Sequence, residues 1–483
     1  MKMKRNKALS ILFAGVILAG TGCKKFLDVN TDPNHPLAVS ESLILSPVEI
    51  TVSTQIVGGF NGTTAAFWMQ QLSQNQPPPD IESYKIQDND VDNTWSFYLY
   101  PNVFENLNIM INEAEAAGHN QYAAIGKTLF AFNMAITTDL WNAVPFSQAL
   151  QPTVISKPKY DNQETVYKGI QSMLDSALYY ISQPASKIAP GSDDLVYGGD
   201  MDLWKKFIYS LKARFYLRLT KAPGYTASAQ ADLALAALAN GFASNADNAT
   251  VAYSGTSQAE NPWFENTQPV NTIVMAESFI DSLITRNDPR LPIFATKGTG
   301  GTYVGRPSGS STSADYRAFS VPNTFYGGYL PLLAPGAAQP GSAAPLFLMT
   351  YSEILSIQAE ATFIKSGAAA AQPIYEAAIG AHMDLLGINT VDQATYIASR
   401  PVLTTANAIE QIITEKYVAG FLSIEPYNDW RRTGFPNLTL AQNAFTKTYI
   451  PRRWPYAFTE TLANPQPEQN GVTTASRVWW DAQ

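Results

Sequence analysis

Cysteine occurs once in the 483 residues, at position 23, which excludes a disulfide scaffold, a Cys-rich zinc site and a CxxC redox centre. Histidine occurs three times, as His35, His119 and His382, so little material exists for a metal site. Charge is scarce too: 15% of residues are charged, against the usual ~25%. The balance of 32 basic to 40 acidic residues gives a formal charge of −8, with no long basic run in the body, which argues against a nucleic-acid backbone as partner. No HExxH, GxSxG or GxxxxGK[ST] motif is present, and the Gly-rich segment Lys297 to Gly305 is not framed as strand, turn and helix. Beyond Cys23 no stretch reaches 18 uninterrupted apolar residues, so a water-soluble body is expected. What is abundant is apolar side chain, 46% of the total, which excludes a disordered acidic protein. The length corresponds to roughly three domain-sized units or one large irregular domain.

The lone cysteine has a context. Lys2, Lys4, Arg5 and Lys7 precede an apolar stretch from Ala8 to Ala19, and the run closes on Gly22-Cys23. That is a secretory signal pattern, and the apolar stretch is short of the ~20 helical residues needed to span a bilayer. A small residue before Cys at the end of such a run resembles a bacterial lipoprotein signal, although Gly20 stands where the usual lipobox carries Leu. The expectation is a signal peptide over 1–22, lipid attachment at Cys23 and an extended lipidated leader over 23–36, the last rich in turn residues such as Asn30, Asp32, Pro33 and Pro36. Cleavage would remove four positive charges and no negative one, leaving a more acidic body with no thiol after Cys23.

From about residue 37 the pattern is mostly helical. Val103, Leu107, Met110 and Ile111 recur at three- and four-residue spacing before a stop at Gly118, and a second run covers Ala123 to Leu140. A second pair reads Val166, Ile170, Leu174 and Leu178, then Leu203, Phe207, Leu211 and Phe215. A third runs from Ile354 to Ile364, stops at Gly367 and resumes from Ile374 to Leu386. These predict helical hairpins, solenoid-like in character, but without a strict 34-residue period. Pairs two and three are separated by more than a hundred residues.

The separating segment differs in kind. The 55 residues from Leu291 to Pro345 hold 9 Gly and 7 Pro, more than twice the chain-wide density, which excludes continuous helix. They also carry Phe294, Tyr303, Tyr316, Phe319, Phe325, Tyr326 and Tyr329. Such rings either contact ligand from loops over a rigid scaffold or pin those loops down as small satellite cores. Glu353 and Glu360, seven apart, fall on one helix face, the minimum for a carboxylate pair but ordinary for helix surfaces. Asp88, Asp90 and Asp92 alternate as in a calcium loop, yet Asn93 and Leu99 stand where that loop needs Gly and Glu. No metal, cofactor or catalytic residue is therefore assigned. Trp430-Arg431-Arg432 and Arg452-Arg453-Trp454 read as structural ion-pair or cation–π clusters.

One set of fragments is specific when taken in order: Cys23-Lys24-Lys25-Phe26-Leu27-Asp28; Asn287-Asp288-Pro289-Arg290; Tyr351-Ser352-Glu353-Ile354 with Ala359-Glu360-Ala361; Ile413-Thr414-Glu415-Lys416-Tyr417; Asp429-Trp430-Arg431-Arg432-Thr433-Gly434-Phe435-Pro436; and Pro451-Arg452-Arg453-Trp454-Pro455-Tyr456 before Asn464. Together they resemble the SusD/RagB family of outer-membrane nutrient-binding lipoproteins. The resemblance implies one mostly α domain over 37–483, built of tetratricopeptide-like helical hairpins, with a large irregular loop-rich insertion, about 250–345, facing ligand. It implies a cell-surface, lipid-anchored protein that captures oligosaccharides or peptides and delivers them to a TonB-dependent outer-membrane transporter (SusC-like), without catalysis.

The shared motifs mostly carry fold, so binding residues must be sought in divergent loops. A sugar offers an apolar C–H face and a polar rim, which suits an aromatic ring flanked by amides and carboxylates. The expected contacts are Trp263 and Phe264, in the segment Asn261-Pro262-Trp263-Phe264, with Tyr303, Tyr326 and Tyr329. Trp95 and Trp204 are expected in the core, whereas Trp68 fits either role. A surface glycoside hydrolase and an adhesive or structural lipoprotein remain the alternatives.

Overall fold

A computed structural model describes residues 40–151, 154–269, 272–334 and 337–482. Cys23, the signal segment 1–22 and the leader 23–36 lie outside the described residues. Residues 41–483 cluster as one unit.

Helices dominate. The first is α1 (Glu41–Thr51), followed by a wider-wound segment and α2 (Phe60–Trp68). By length and mean hydropathy, 1.3, the run Glu41–Trp68 matches a membrane-crossing helix, but half of its apolar window is buried within the fold. Then come α3 (Asn106–Ala117), α4 (Asn120–Trp141), α5 (Gln163–Ser182), α6 (Met201–Arg218) and α7 (Ala227–Leu238). Short helices α8 (Pro262–Asn266), α9 (Glu277–Thr285) and α10 (Leu291–Phe294) sit among loops. The series closes with α11 (Tyr351–Ser366), α12 (Ala368–Leu385), α13 (Thr390–Ala398), α14 (Ala408–Ala419), α15 (Glu425–Thr433) and α16 (Phe458–Ala463).

Local chemistry sets the helix ends. Asn162, Asp200 and Thr350 each accept a backbone N–H from the first turn of α5, α6 and α11. Gly118 (φ 72°) and Gly367 (φ 82°) turn α3 into α4 and α11 into α12, so both hairpins form where the sequence places them. Helix α7 has no counterpart in the expected pairs. It packs on α6 on one side and α11 on the other, and thereby joins the second and third pairs across their long sequence gap.

Three two-stranded antiparallel ladders interrupt the helices: β1 (Leu72–Gln74) with β5 (Ile273–Met275), β2 (Val144–Pro145) with β3 (Tyr160–Asp161), and β4 (Ala249–Val251) with β6 (Leu346–Met349). In the first, Leu72 pairs with Met275 and Gln74 with Ile273. Between Leu291 and Pro345 the described residues form only α10 and single 3-10 turns as helical elements, as the Gly and Pro content requires.

The core holds the tryptophans. Trp68, Trp95, Trp141, Trp204, Trp454 and Trp480 are all fully buried, which settles Trp68 as core: its indole N–H donates to the Ile81 carbonyl (2.8 Å) and its ring lies 4.6 Å from Trp454. Buried charge is abundant, and much of it is paired. Arg214 grips Glu353 through two 2.7 Å bonds, while Arg432 grips Glu360 and also reaches Asp429 (3.0 Å), which takes Lys416 at 2.8 Å. The same-face carboxylates Glu353 and Glu360 are thus consumed by guanidiniums. Asp139 on α4 accepts from Tyr167 (2.6 Å), Arg218 (2.6 Å) and the indole of Trp480 (2.7 Å). Arg431 stacks over Trp480 at 4.7 Å, and Arg452 binds Asp481 at 2.6 Å. Asp88, Asp90 and Asp92 serve as caps and loop clips, with Asp90 accepting the Gln87 N–H and Asp92 the Thr459 N–H. Among the described residues no three His, Cys, Asp or Glu side chains converge as a metal site.

Candidate functional site

The residues expected to stack on ligand separate into two groups. Trp263, Phe264 and Tyr326 are only 3%, 6% and 7% exposed, so none offers a free ring face, and the expectation of surface platforms at these positions is corrected. The cause is local: Asn261 caps α8 by accepting the Trp263 N–H, and that single turn rolls Trp263 and Phe264 inward. Tyr326 stacks on Phe294 at 5.2 Å, and its hydroxyl is bonded to His382 at 3.2 Å. Burial and the neighbouring Arg290 hold that imidazole neutral, well below its ordinary pKa. Trp263, Tyr326 and His382 do border a cavity, with Met349 and Lys416, but its volume is about 60 Å³. That is space for about two waters, whereas a ligand pocket needs roughly 300 Å³ or more. Tyr303 and Tyr329, by contrast, are half-buried, each with part of its ring open.

A depression of about 340 Å³ lies at the open end of the β1–β5 ladder, lined by Asn75, Gln76, Thr272, Ser313, Asp315 and Tyr316 among others. The ladder continues one step into it, because the Asn75 N–H donates to the Thr272 carbonyl at 2.9 Å. The Asn75 amide N–H donates to the Ala314 carbonyl at 2.5 Å, clamping the loop that forms the far wall. Two acceptors are then left over: Asn75 Oδ1 and Thr272 Oγ1 have no protein partner although both atoms are screened from solvent. Polar atoms in that state are costly.

The walls are rigid for identifiable reasons. Arg306, 2% exposed, ties the base of the wall together by donating to the carbonyls of Gln74 (3.1 Å), Ser310 (2.8 Å) and Thr312 (2.8 Å). Beneath, Glu82 accepts the Gln74 N–H at 3.0 Å, and burial pushes its carboxyl up to about 7. On the rim, Asp315 caps the turn carrying Tyr316 and pairs with Arg317 at 2.8 Å, an exposed carboxylate–guanidinium fork. Partial burial and nearby Tyr329 raise the Tyr316 phenol. Tyr329 in turn rests on Phe264, 5.6 Å between rings, so that buried Phe264 supports the aromatic wall from behind. An aromatic ring, an amide, hydroxyls and a charged fork around one depression form a surface suited to a polyhydroxylated ring, with no nucleophile–base pair among them. Asn75, Thr272 and Asp315 carried no sequence signal. Tyr316 was visible as one of the loop aromatics.

Comparison with known proteins agrees with this architecture. Residues 33–457 match a family described as "Starch-binding associating with outer membrane". Among solved structures, a chitin-binding protein shares 22% identity over 92% of this chain and 100% of its own, with a TM-score of 0.77. A SusD/RagB family protein from Bacteroides thetaiotaomicron shares 22% identity over 92% and 99%, with a TM-score of 0.74. A chitin-binding SusD homolog from Flavobacterium johnsoniae shares 22% over 91% and 96%, with a TM-score of 0.73. No curated protein sequence matches the chain. The matched motifs, the helical hairpins and the breadth of the family match make the chain a member of the SusD/RagB family of outer-membrane-associated, non-catalytic glycan-binding proteins.

Proposed function

We propose that this protein is a lipid-anchored binding protein of the cell surface that captures oligosaccharides in the Asn75–Thr272–Tyr316 depression and passes them to a TonB-dependent outer-membrane transporter. The observation that carries the reading is the depression itself, about 340 Å³, in which Gln76, Ser313 and Asp315 stand around a partly open tyrosine ring. Sugar hydroxyls bond to such amide, hydroxyl and carboxylate groups, and the C–H face of a sugar covers such a ring. The names of two structural neighbours, both chitin-binding, favour a sugar over a peptide. Tyr329, on the Phe264 support, and Tyr303, on a separate depression, are the two expected contacts that remain open. Modest affinity suits the role, since a delivered ligand must also be released.

The test is isothermal titration of the purified chain against chito-, malto- and xylo-oligosaccharides and against peptides of similar length. At least one sugar series should bind, and Tyr316→Ala should weaken it roughly tenfold, about 1.4 kcal/mol, with the melting temperature nearly unchanged. Binding of peptides alone would replace the glycan reading by the peptide one. Failure of a transporter barrel to co-purify with the membrane-anchored chain would remove the delivery step while leaving capture intact.

A further inference from the structure

Two further depressions meet at Asn287. One, of about 430 Å³, is lined by Arg286, Asn287, Asp392, Thr395, Ser399 and Arg400, with Tyr396 at its floor. The other, of about 440 Å³, continues past Asn287 to Lys297, Thr302 and Tyr303. Each lies within the size range of ligand pockets, roughly 300–1,000 Å³, and two that share Asn287 suit neighbouring units of an oligomer.

The charge along this trough is unusual for an acidic chain. Beneath it, three guanidiniums, Arg286, Arg290 and Arg400, surround the Tyr396 ring at 5.8, 5.2 and 4.3 Å. Two carboxylates answer them. Asp288 is taken by Arg290 (2.6 Å), and Glu415 is shared between Arg290 (2.7 Å) and Arg286. Arg400 bonds only to the Arg286 carbonyl (3.2 Å) and the Ser399 hydroxyl (2.9 Å), and no described carboxylate pairs with it. Arg286 Nη1 and Arg400 Nε also lack an acceptor, although both atoms are closed to solvent. At the other end Lys297 is exposed, lies 5.6 Å from the Tyr303 ring and has no carboxylate partner among the described residues. The opposing charges on the lining are Asp288, already taken by Arg290, and Asp392, which lies in the first turn of α13 and accepts from the amide of the cap residue Asn389 at 2.6 Å. Surplus planar cation at one end, a half-open ring with an ammonium at the other, and an amide with hydroxyls between them define the complementary ligand.

We propose that this trough is a second binding site, distinct from the Tyr316 depression, that takes an acidic oligosaccharide, with a uronate carboxylate on Arg400 and a neighbouring sugar ring against Tyr303 beside Lys297. The sugar part of this inference rests on the glycan-binding reading. The acidic part rests on the unneutralised cations alone.

The experiment is titration of the full chain with hexagalacturonate, with neutral maltohexaose and chitohexaose, and with hexaglutamate. Hexagalacturonate should bind, Lys297→Gln and Arg400→Gln should each weaken it about tenfold, and neither should alter any neutral oligosaccharide that binds. Lys297 is exposed, so its substitution keeps the test valid if loss of Arg400 from the Tyr396 ring impairs folding. Tyr316→Ala should leave hexagalacturonate binding in place. Loss of hexagalacturonate binding in Tyr316→Ala but not in the cation variants would assign it to the first depression and overturn the proposal. So would equal binding of hexaglutamate, which would mean charge alone, or no binding of hexagalacturonate. Failure of the neutral sugars as well would strike the glycan reading instead, which keeps the two failures apart.

Discussion

Trp263 is the residue at which sequence and structure differ most. A Pro-flanked Trp-Phe pair beside a loop-rich segment has the composition of a sugar platform, but one Asn cap and one helical turn decide whether its ring points out or in. The inward ring lies against Gly62, where a built Cβ would stand 3.4 Å from it, and borders one small cavity with Leu346 and Tyr326, none near in sequence. Trp263→Ala is accordingly expected to destabilise the fold by about 3–5 kcal/mol, read as a large fall in melting temperature. A variant that melts like the parent would return Trp263 to the surface. Glu82 gives a residue-scale prediction of the opposite sign. Its folded pKa, about 7, exceeds its ordinary value of 4.5, so the folded state holds the proton more tightly. Stability should fall as pH rises from about 4.5 to 7, by up to ~3 kcal/mol, and level off above. Glu82→Gln keeps an acceptor for the Gln74 N–H and should flatten that slope in melts run across the range. An unchanged slope would place its origin elsewhere.

At the scale of elements, the hairpins were legible because their determinants are local. Gly118 and Gly367 stop helices whose apolar spacing is visible on either side, and the backbone at Gly367 (φ 82°, ψ 179°) belongs to a region open essentially to glycine alone. Nothing lies within 4 Å of a Cβ built there. Gly367→Ala should therefore cost about 1–3 kcal/mol through backbone strain and not through a clash, and urea denaturation would measure it. Helix α7 was not legible. Its sequence, Ala-rich from Ala227 to Leu238, presents few bulky residues at helical spacing, since its neighbours α6 and α11 supply the large side chains it packs against. The groove was hidden for a related reason: β1 and β5 are three residues each and lie about two hundred residues apart, so the ladder that brings Asn75 to Thr272 leaves no periodic trace.

At the scale of the whole molecule, the buried charges bind together segments from across the chain. Asp139 on α4 meets Arg218 on α6, Arg431 on α15 interacts with both Asp139 and Trp480, and the indole of Trp480 completes the Asp139 shell. Removing one partner from such a set leaves a charge buried without compensation, a loss of about 3–5 kcal/mol. Truncation after Arg477 removes Val478 and Trp480 from the core and Asp481 from Arg452. The truncated chain should be degraded rapidly by trypsin under conditions where the full chain survives, and comparable resistance would show that the C-terminal residues are dispensable.

The position of Trp480 also sets a schedule. A ribosome makes this chain from its first residue, and Asp139 emerges some 340 residues before the indole that completes its hydrogen bonds. Until then the centre of the fold is missing a wall, and the early hairpins have nothing to close on. The Asp139 shell is thus completed only once Trp480 is available. A keystone placed so far down the sequence from its partner serves as a timer, deferring completion of the fold's centre to residues made long after the first hairpins.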